Sequence, residues 1–221
     1  MPLALFVGCI ARPYEHDVRR ALHRLCHAAG LPAPIEPDGQ ACCGALHAHA
    51  CAAKEAKALA MRNRSAFAEA GTVLTVASGC HEAVAEGLRG TAEVVDALAF
   101  LARRTDRLAF RPKRERIALH LPCTQRNVVR SDAATRALLA RVPGLDVVTL
   151  DAGFGCCGAA GTQMLADPAR AAAFRAPLLD QLAASGATRL LSANLGCRLH
   201  FANAARVPVQ HPLEFLAECL P

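Results

Sequence analysis

The chain has very few aromatic side chains. Tryptophan is absent, tyrosine occurs once, and aromatic residues make up 4% of the 221 residues. Proteins that bind single-stranded nucleic acid stack its bases on aromatic side chains, and this chain has few aromatic side chains on which bases could stack. The formal net charge of +6 comes mostly from arginines spread along the chain, and no nucleic-acid recognition motif accompanies them. We therefore expect no nucleic-acid partner.

Long hydrophobic runs are also missing. No apolar stretch approaches the roughly 20 residues that cross a bilayer, so we expect no transmembrane segment. The first eight residues lack the basic start, long apolar centre and cleavage site of a secretion signal. We expect a cytoplasmic protein with reduced thiols, which reaches the inner membrane only peripherally, through a complex. Hydrophobic residues make up 53% of the chain, which is enough for a core that needs no disulfides.

Cysteine is the residue in excess. Eight of the 11 cysteines form two copies of one pattern: a single cysteine, an adjacent pair followed by glycine, and a further single cysteine. In each copy the first cysteine precedes the pair by 33 residues, and the two copies are offset by 114 residues. This spacing indicates an internal duplication. The candidate ligands are Cys9, Cys42, Cys43 and Cys80 in the first copy, and Cys123, Cys156, Cys157 and Cys197 in the second.

Both halves of the chain alternate short apolar strands with helices. This alternation predicts an α/β fold of two pseudo-symmetric lobes, each a small, mainly parallel sheet with flanking helices. The lobes are expected at residues 1–104 and 117–221, joined by a basic linker at 105–116. The arginines of the linker are more typical of a solvated connection than of a docking patch, and both interpretations stay open.

Ordinary start and stop signals predict the helices near the cysteines. Pro13 and Gly30 bound one amphipathic helix, and an alanine-rich run predicts a single long helix over residues 45–70. Asp167 is the expected N-cap of a helix over residues 168–185.

Every cysteine of the repeated pattern follows a predicted strand. Ligands of parallel sheets bind beyond the carboxyl ends of the strands, so each lobe should bring four thiols together from three loops. Clustered thiols serve zinc sites, iron–sulfur clusters or thiol redox chemistry. Structural zinc sites usually carry short CxxC knuckles, which are absent here, and four thiols from separate loops suit an iron–sulfur cluster better. Neighbouring glycines would let the backbone approach the cluster, and a helix beginning after each CCG would favour its negative charge.

Other candidate side chains lie close to the patterned cysteines in sequence. His47, His120 and His200 could ligate a metal or donate a hydrogen bond to a cluster, and their roles stay open. Cys51 could approach the first site from the predicted long helix, but core packing is favoured for it. No functional role is expected for Cys26 and Cys219.

The sequence around the cysteine pairs resembles a known family. The pattern C…CCG…GC, together with segments 42–49, 194–197 and 207–214, is similar to the CCG-domain family of cysteine-rich proteins. That family includes the iron–sulfur subunits of glycolate and lactate dehydrogenases and the cysteine-rich subunit of heterodisulfide reductase. The resemblance covers nearly the whole chain. It is strongest to the C-terminal part of the glycolate oxidase iron–sulfur subunit, and the layout is similar to the stand-alone lactate-utilisation subunit.

The resemblance implies a cofactor and a role. The eight patterned cysteines would hold iron–sulfur clusters of the 4Fe-4S type, one per lobe, with zinc in one lobe as an alternative. The chain would carry electrons from a flavin-containing dehydrogenase of a 2-hydroxy acid such as glycolate or lactate. The glycolate oxidase subunit also carries a ferredoxin-like module, which is missing here, so a ferredoxin-like subunit is a candidate further partner.

Two alternative functions stay open at the level of sequence. One is a thiol or disulfide redox subunit similar to that of heterodisulfide reductase, and the other is a zinc-holding scaffold. The redox subunit of that family uses a fifth thiol, and the matching positions here are Ala83 and His200.

Overall fold

The first half of the chain forms a three-stranded parallel sheet with the strand order β1-β2-β3. The computed structural model describes residues 2–151, 153 and 155–221, so Met1 of the predicted first lobe lies outside it. The strands are mostly apolar and buried, as parallel strands covered on both faces should be. They are β1 (Leu3–Phe6), β2 (Thr72–Thr75) and β3 (Glu93–Asp96).

The second half forms a four-stranded sheet with the order β5-β4-β6-β7, and every pair in it is parallel. Its strands are β4 (Glu115–His120), β5 (Leu145–Thr149), β6 (Leu190–Ser192) and β7 (Val209–Gln210).

The two sheets repeat one topology. β4 pairs with β5 on one side and with β6 on the other, and β1 pairs with β2. On its other side, β1 makes a single parallel bridge from Ala4 to Ile35, which takes the place of β5 in the first lobe. Two parallel sheets with matching strand orders confirm the predicted α/β fold with two lobes.

Helices flank both sheets. Those of the first half are α1 (Ala11–Tyr14), α2 (His16–Ala28), α3 (Ala45–His49), α4 (Ala53–Ala66), α5 (Ser78–Gly87) and α6 (Ala97–Ala102). Those of the second half are α7 (Asp132–Leu139), α8 (Gln163–Ala166), α9 (Pro168–Ser185), α10 (Leu195–Ala202) and α11 (Pro212–Glu218). Asp167 caps α9 as predicted, since its carboxylate accepts a hydrogen bond from the Arg170 N–H. Within the described residues, no helix combines the length and the apolar character needed to cross a bilayer.

The single helix predicted over residues 45–70 is wrong. The chain forms α3 and α4 there, separated around Cys51, whose φ of 60° lies in the left-handed region. The alanine-rich sequence favours helix on both sides of the break, so local propensity does not explain it. The break lets α4 turn back over the CCG segment, where the backbone of Ala56 lies beside Gly44.

The helix predicted between Pro13 and Gly30 is also divided. α1 and α2 are separated at Glu15, which is fully buried. Its carboxylate forms an ion pair with Arg198 of α10, in the second half of the chain. A contact with a residue 183 positions away therefore determines where this helix begins.

One hydrophobic core joins the two lobes. Its largest cluster combines Leu5 of β1 and Leu22 of α2 with Leu119 of β4 and Phe215 of α11. Each lobe also has a smaller cluster on the other face of its sheet, and alternate residues of β1 face the two clusters. The predicted linker 105–116 contributes Leu108 to the shared core, and its last two residues begin β4.

Candidate metal centres

Four predicted thiols come together at the carboxyl edge of the first sheet. The Cys9 thiol donates a hydrogen bond to the Cys42 sulfur over 3.4 Å. Cys43 and Cys80 form a second hydrogen-bonded pair. The charges of Cys9, Cys42 and Cys43 all act on Cys80, so the four sulfurs share one neighbourhood.

The proton distribution in this first site is uneven. The hydrogen bond from Cys80 lowers the pKa of Cys43 to about 6, and the Ala45 N–H adds to the effect. The same hydrogen bond to Cys43 raises the pKa of Cys80 well above its ordinary value. Burial raises the pKa of Cys42 to about 11. Cys43 is therefore the thiol of this site that is ready to bind a metal as thiolate at neutral pH.

The second lobe repeats the arrangement with the other four predicted thiols. Cys197 donates a hydrogen bond to Cys157, which lowers the pKa of Cys157 and raises that of Cys197. Burial and the neighbouring charge of Cys156 raise the pKa of Cys123, which also shares a hydrogen bond with Cys156. Each lobe thus pairs its first cysteine with the first of the CC pair, and its last cysteine with the second.

A left-handed glycine shapes each CCG turn. Gly44 has a φ of 82° and Gly158 a φ of 88°, values that other residues adopt only with strain. Their N–H groups donate to the sulfurs of Cys42 (3.5 Å) and Cys156 (3.3 Å). The turn therefore aims a backbone donor at the first sulfur of each pair.

The last cysteine of each pattern lies in a helix instead of the predicted loop. Cys80 and Cys197 are the third residues of α5 and α10. The Asn194 side chain caps α10 and accepts hydrogen bonds from the N–H groups of Gly196 (2.9 Å) and Cys197 (3.4 Å). The helices that follow the CCG motifs, α3 and α8, have five and four residues, so the expected contribution from their dipoles is small.

A polar contact between the lobes joins residues that adjoin the two sites. Ser78 lies two residues before Cys80, and its Oγ is 2.8 Å from the Oγ1 of Thr124, the residue after Cys123. The Asn194 amide also donates to Ser78 Oγ over 3.2 Å. This network was not predicted from the sequence. The signal was a polar residue close before the Gly-Cys pair in both halves, Ser78 in one and Asn194 in the other.

The candidate histidines have different surroundings. His200 donates from Nε2 to the Ala171 carbonyl (3.1 Å), and its Nδ1 lies 3.3 Å from Arg175 Nη1, which leaves no ring nitrogen for a metal. His120 is buried, which lowers its pKa to about 4, and its Nδ1 contacts Ser192 Oγ at 3.0 Å. The Nε2 of His120 and the Nδ1 of His47 are buried and have no hydrogen-bond partner among the described residues.

The three remaining cysteines lie outside the two clusters of thiols. Cys26 belongs to the shared core, as expected for a residue on the apolar face of a helix, and Cys219 belongs to it as well. Cys51 is exposed, so the core packing favoured for it is wrong.

Two arginines border the second site and were also missed. A Cβ on Gly155 would overlap the guanidinium of Arg126, whose Cζ would lie at 2.7 Å. The buried guanidinium of Arg175 donates to the His200 carbonyl and lowers the pKa of Cys157 in addition to the effect of Cys197. The Nε atoms of both arginines are buried and have no hydrogen-bond partner among the described residues.

The arrangement suits a polynuclear group better than a single ion. Across the described part of the chain, no three Cys, His, Asp or Glu side chains are placed to hold one metal ion. Each lobe instead presents two thiol pairs, and beside the second site the Nε–H groups of Arg126 and Arg175 have no hydrogen-bond partner within the described residues. Thiolates on different irons of a cluster are spread more widely than ligands of one zinc, and nearby N–H donors can bond its sulfides. The residues therefore fit an iron–sulfur cluster.

Known proteins with similar sequences include iron–sulfur subunits. The "Glycolate oxidase iron-sulfur subunit" of Escherichia coli (strain K12) is 28% identical over 96% of this chain and 56% of its own length. A subunit of "Fumarate reductase (CoM/CoB)" from Methanothermobacter marburgensis is 31% identical over 72% of this chain and 33% of its own length. The chain thus spans about half the length, or less, of these relatives. "Lactate utilization protein A" of Shouchella clausii is 24% identical and is matched over 98% of both chains.

The match to a family model agrees with the duplicated pattern. The model for the cysteine-rich domain called CCG matches residues 3–85 and 117–202, one copy in each lobe and each with its complete set of four patterned cysteines. The predicted family is confirmed: the chain belongs to the CCG cysteine-rich domain family.

Proposed function

We propose that the chain is the iron–sulfur electron-transfer subunit of a flavoprotein dehydrogenase complex that oxidises a 2-hydroxy acid. In this proposal the eight patterned cysteines hold two clusters of the 4Fe-4S type, one in each lobe. The single observation that carries it is the convergence, in both lobes, of four thiols from distant parts of the sequence into hydrogen-bonded pairs. Such a cluster takes up and releases single electrons when it is bound.

The cysteines are suited to this role by their protonation states. Cluster ligands must be thiolates, and each lobe has one cysteine whose pKa is lowered toward that state, to about 6 for Cys43 and in the same direction for Cys157. The thiols with raised pKa, including Cys42 and Cys123, release their protons as they bind the metal. All 11 cysteines are free thiols, which supports our proposal of a cytoplasmic location, with membrane contact only through the complex.

A flavin-containing partner follows from electron counting. Oxidation of a 2-hydroxy acid releases two electrons together, whereas an iron–sulfur cluster takes them one at a time, so a flavin must stand between them. The matched relatives include iron–sulfur subunits named for glycolate oxidase, which supports a partner of this type. We propose a quinone or another carrier as acceptor, with a ferredoxin-like subunit as a further partner.

The basic segment 105–116, with the residues just before it, is the surface that we propose for docking. Arg103, Arg107, Arg111 and Arg114 are exposed, and the structure gives none of these four an ion pair within its described residues. An acidic partner surface would complement them, and salt should then weaken the complex. We retain the division into lobes at 1–104 and 117–221 as part of this proposal.

The decisive experiment is metal analysis of the anaerobically purified protein. We expect a brown protein with iron and acid-labile sulfide, and reduction of its visible absorbance when the flavin-containing dehydrogenase and its hydroxy acid are added. Replacing Cys42 and Cys43 by serine should remove about half of the iron, because each set of four ligands comes from one lobe. Stoichiometric zinc without iron, after anaerobic reconstitution, would support the scaffold instead.

A thiol redox function is the second candidate, and one observation favours it. Cys43 has a pKa of about 6 and lines an open groove, so it has the properties of a reactive thiolate. The chain is also 31% identical to a relative whose name refers to the thiols CoM and CoB. Disulfide reduction by the isolated, reduced protein would support this candidate. Electron transfer from the flavoprotein without any disulfide turnover would rule it out.

A further inference from the structure

The two CCG motifs have equivalent surroundings that differ in charge. A Cβ on Gly44 would lie 3.5 Å from the Ala56 backbone of α4, and one on Gly158 would overlap the Ala171 carbonyl oxygen of α9, with the Ala171 Cα at 3.0 Å. Ala56 and Ala171 therefore occupy matching places. One helical turn beyond them, at the fourth residue, α4 has Ala60 and α9 has Arg175.

Two guanidinium groups border the cysteine pair of the second lobe. Arg175 is only 8% exposed and is held by His200, which follows Cys197 by three residues. Arg126 lies over Gly155, directly before the pair, so a Cβ on that glycine would overlap its guanidinium. The second site therefore has a guanidinium on both sides of the motif, a buried one held by hydrogen bonds at Arg175 and a half-buried one at Arg126.

In the first lobe Ala60 takes the place of Arg175, and the amide of Asn63 lies beside the cysteine pair. Arg12, which corresponds to Arg126 by the offset of 114 residues, is exposed. Asn63 is buried, accepts a hydrogen bond from the Ala41 N–H (2.7 Å) and donates one to the Cys42 carbonyl (3.0 Å). Beside Ala60, where the second lobe has Arg175, a groove of about 430 Å³ opens next to Cys43. Lys57, Arg64 and Glu86 also line this groove, but water screens their charges more strongly than those of buried groups.

We infer that Arg126 and Arg175 make the second-lobe site the preferred place for a transferred electron, so that electrons pass from the first lobe to the second. This inference rests on the proposed function, since it requires a cluster in each lobe. An added electron increases the negative charge of the site, and a positive charge held in a water-poor environment stabilises it more strongly than an exposed one does.

The contact between the lobes supplies a direct connection for this step. From Cys80 it runs along the backbone to Ser78, across 2.8 Å to Thr124, and along the backbone to Cys123. With a cluster held in each lobe, one electron would leave the first-lobe site, which would be oxidised, and enter the second-lobe site, which would be reduced. No bond or proton is exchanged, and the reductant that refills the first site is the reduced flavin of the partner dehydrogenase.

The test is a potentiometric titration followed by electron paramagnetic resonance, on the anaerobically purified full chain. The variants Cys42→Ser/Cys43→Ser and Cys156→Ser/Cys157→Ser each retain one site and assign its midpoint potential. We expect the second site to have the higher potential. Arg175→Met and Arg126→Met should each lower the midpoint potential of the second site by ~59 mV, which is about a tenfold change in the reduction equilibrium of a one-electron couple. The potential of the first site should stay unchanged.

Two further variants separate charge from packing. Arg175→Lys keeps the charge and should retain most of the potential of the second site. Ala60→Arg places a guanidinium in the groove of the first lobe and should raise the potential of the first site by a similar factor. If Arg175→Met does not retain iron, Arg126→Met and Ala60→Arg decide the question.

The outcomes that overturn the inference are distinct from those that overturn the proposed function. Equal potentials, a higher potential in the first site, or methionine variants that retain iron without a shift would refute the direction of transfer and leave the electron-transfer role intact. A wild-type protein without iron and sulfide would refute the proposed function and the inference with it.

Discussion

Replacing the two CCG glycines by alanine should have unequal effects, and the structure shows why. Both residues have a left-handed φ, 82° at Gly44 and 88° at Gly158, so alanine costs about 1–2 kcal/mol at either position. At Gly44 the new Cβ meets the Ala56 backbone at 3.5 Å, which is an ordinary contact. At Gly158 it overlaps the Ala171 carbonyl oxygen, so α9 must move away. Such overpacking adds about 1–3 kcal/mol.

The two variants are matched controls for each other, and thermal unfolding of the reduced, metal-free protein measures the difference. For a chain of 221 residues, 1 kcal/mol corresponds to about 2–4 °C in Tm. We therefore expect Gly158→Ala to unfold ~2–12 °C below Gly44→Ala. Gly158→Ala should also retain less iron than Gly44→Ala, because α9 packs against the second cysteine pair. Equal losses in the two variants would show that backbone strain alone determines the cost and that the contact with Ala171 has no effect.

Three further predictions concern buried charges and protons. Arg198→Met leaves the Glu15 carboxylate buried without its partner, so it should lower the free energy of unfolding, measured by denaturant titration, by about 3–5 kcal/mol. Adding Glu15→Leu to this variant should restore most of the lost free energy of unfolding, because no buried charge is then left. In the metal-free protein, the rate of Cys43 alkylation, measured by mass spectrometry, should rise with pH with a midpoint near pH 6, and that of Cys42 with a midpoint near pH 11. Identical pH profiles for the two cysteines would contradict the hydrogen bond from Cys80 to Cys43. Burial lowers the pKa of His211 well below 6.5, so the stability that the neutral histidine contributes is present above pH 6.5 and falls at lower pH, where the unfolded chain takes up a proton. The free energy of unfolding should therefore decrease by about 1.4 kcal/mol between pH 7.5 and 5.5. His211→Gln should reduce this pH dependence, and an unchanged slope would count against a neutral buried histidine.

The sequence predicted the architecture well because the chain contains the same unit twice. The apolar runs over residues 3–7 and 117–121 indicate buried strands, and β1 and β4 lie at these places in the structure. The cysteines followed from the same argument, because carboxyl ends of parallel strands meet at one edge of a sheet. A weak strand prediction in one half was supported by its repeat in the other.

The helices near the first site were predicted less well. The run over residues 45–70 has a high helix propensity throughout, but the chain breaks at Cys51 so that α4 can pack over the CCG turn. The first helix breaks at Glu15, which is held by Arg198. Propensity describes a residue and its neighbours in sequence, whereas both breaks depend on contacts with distant residues.

The sequence by itself determined that there are two lobes and two sets of four thiols, because a duplicated spacing is a property of the covalent chain. It suggested two equivalent sites. Only the tertiary structure showed that they differ, with Arg126 and Arg175 beside one cysteine pair and Asn63 with an open groove beside the other. The electrostatic energy of a charge depends on its distance from the site and on the water between them, and packing determines both.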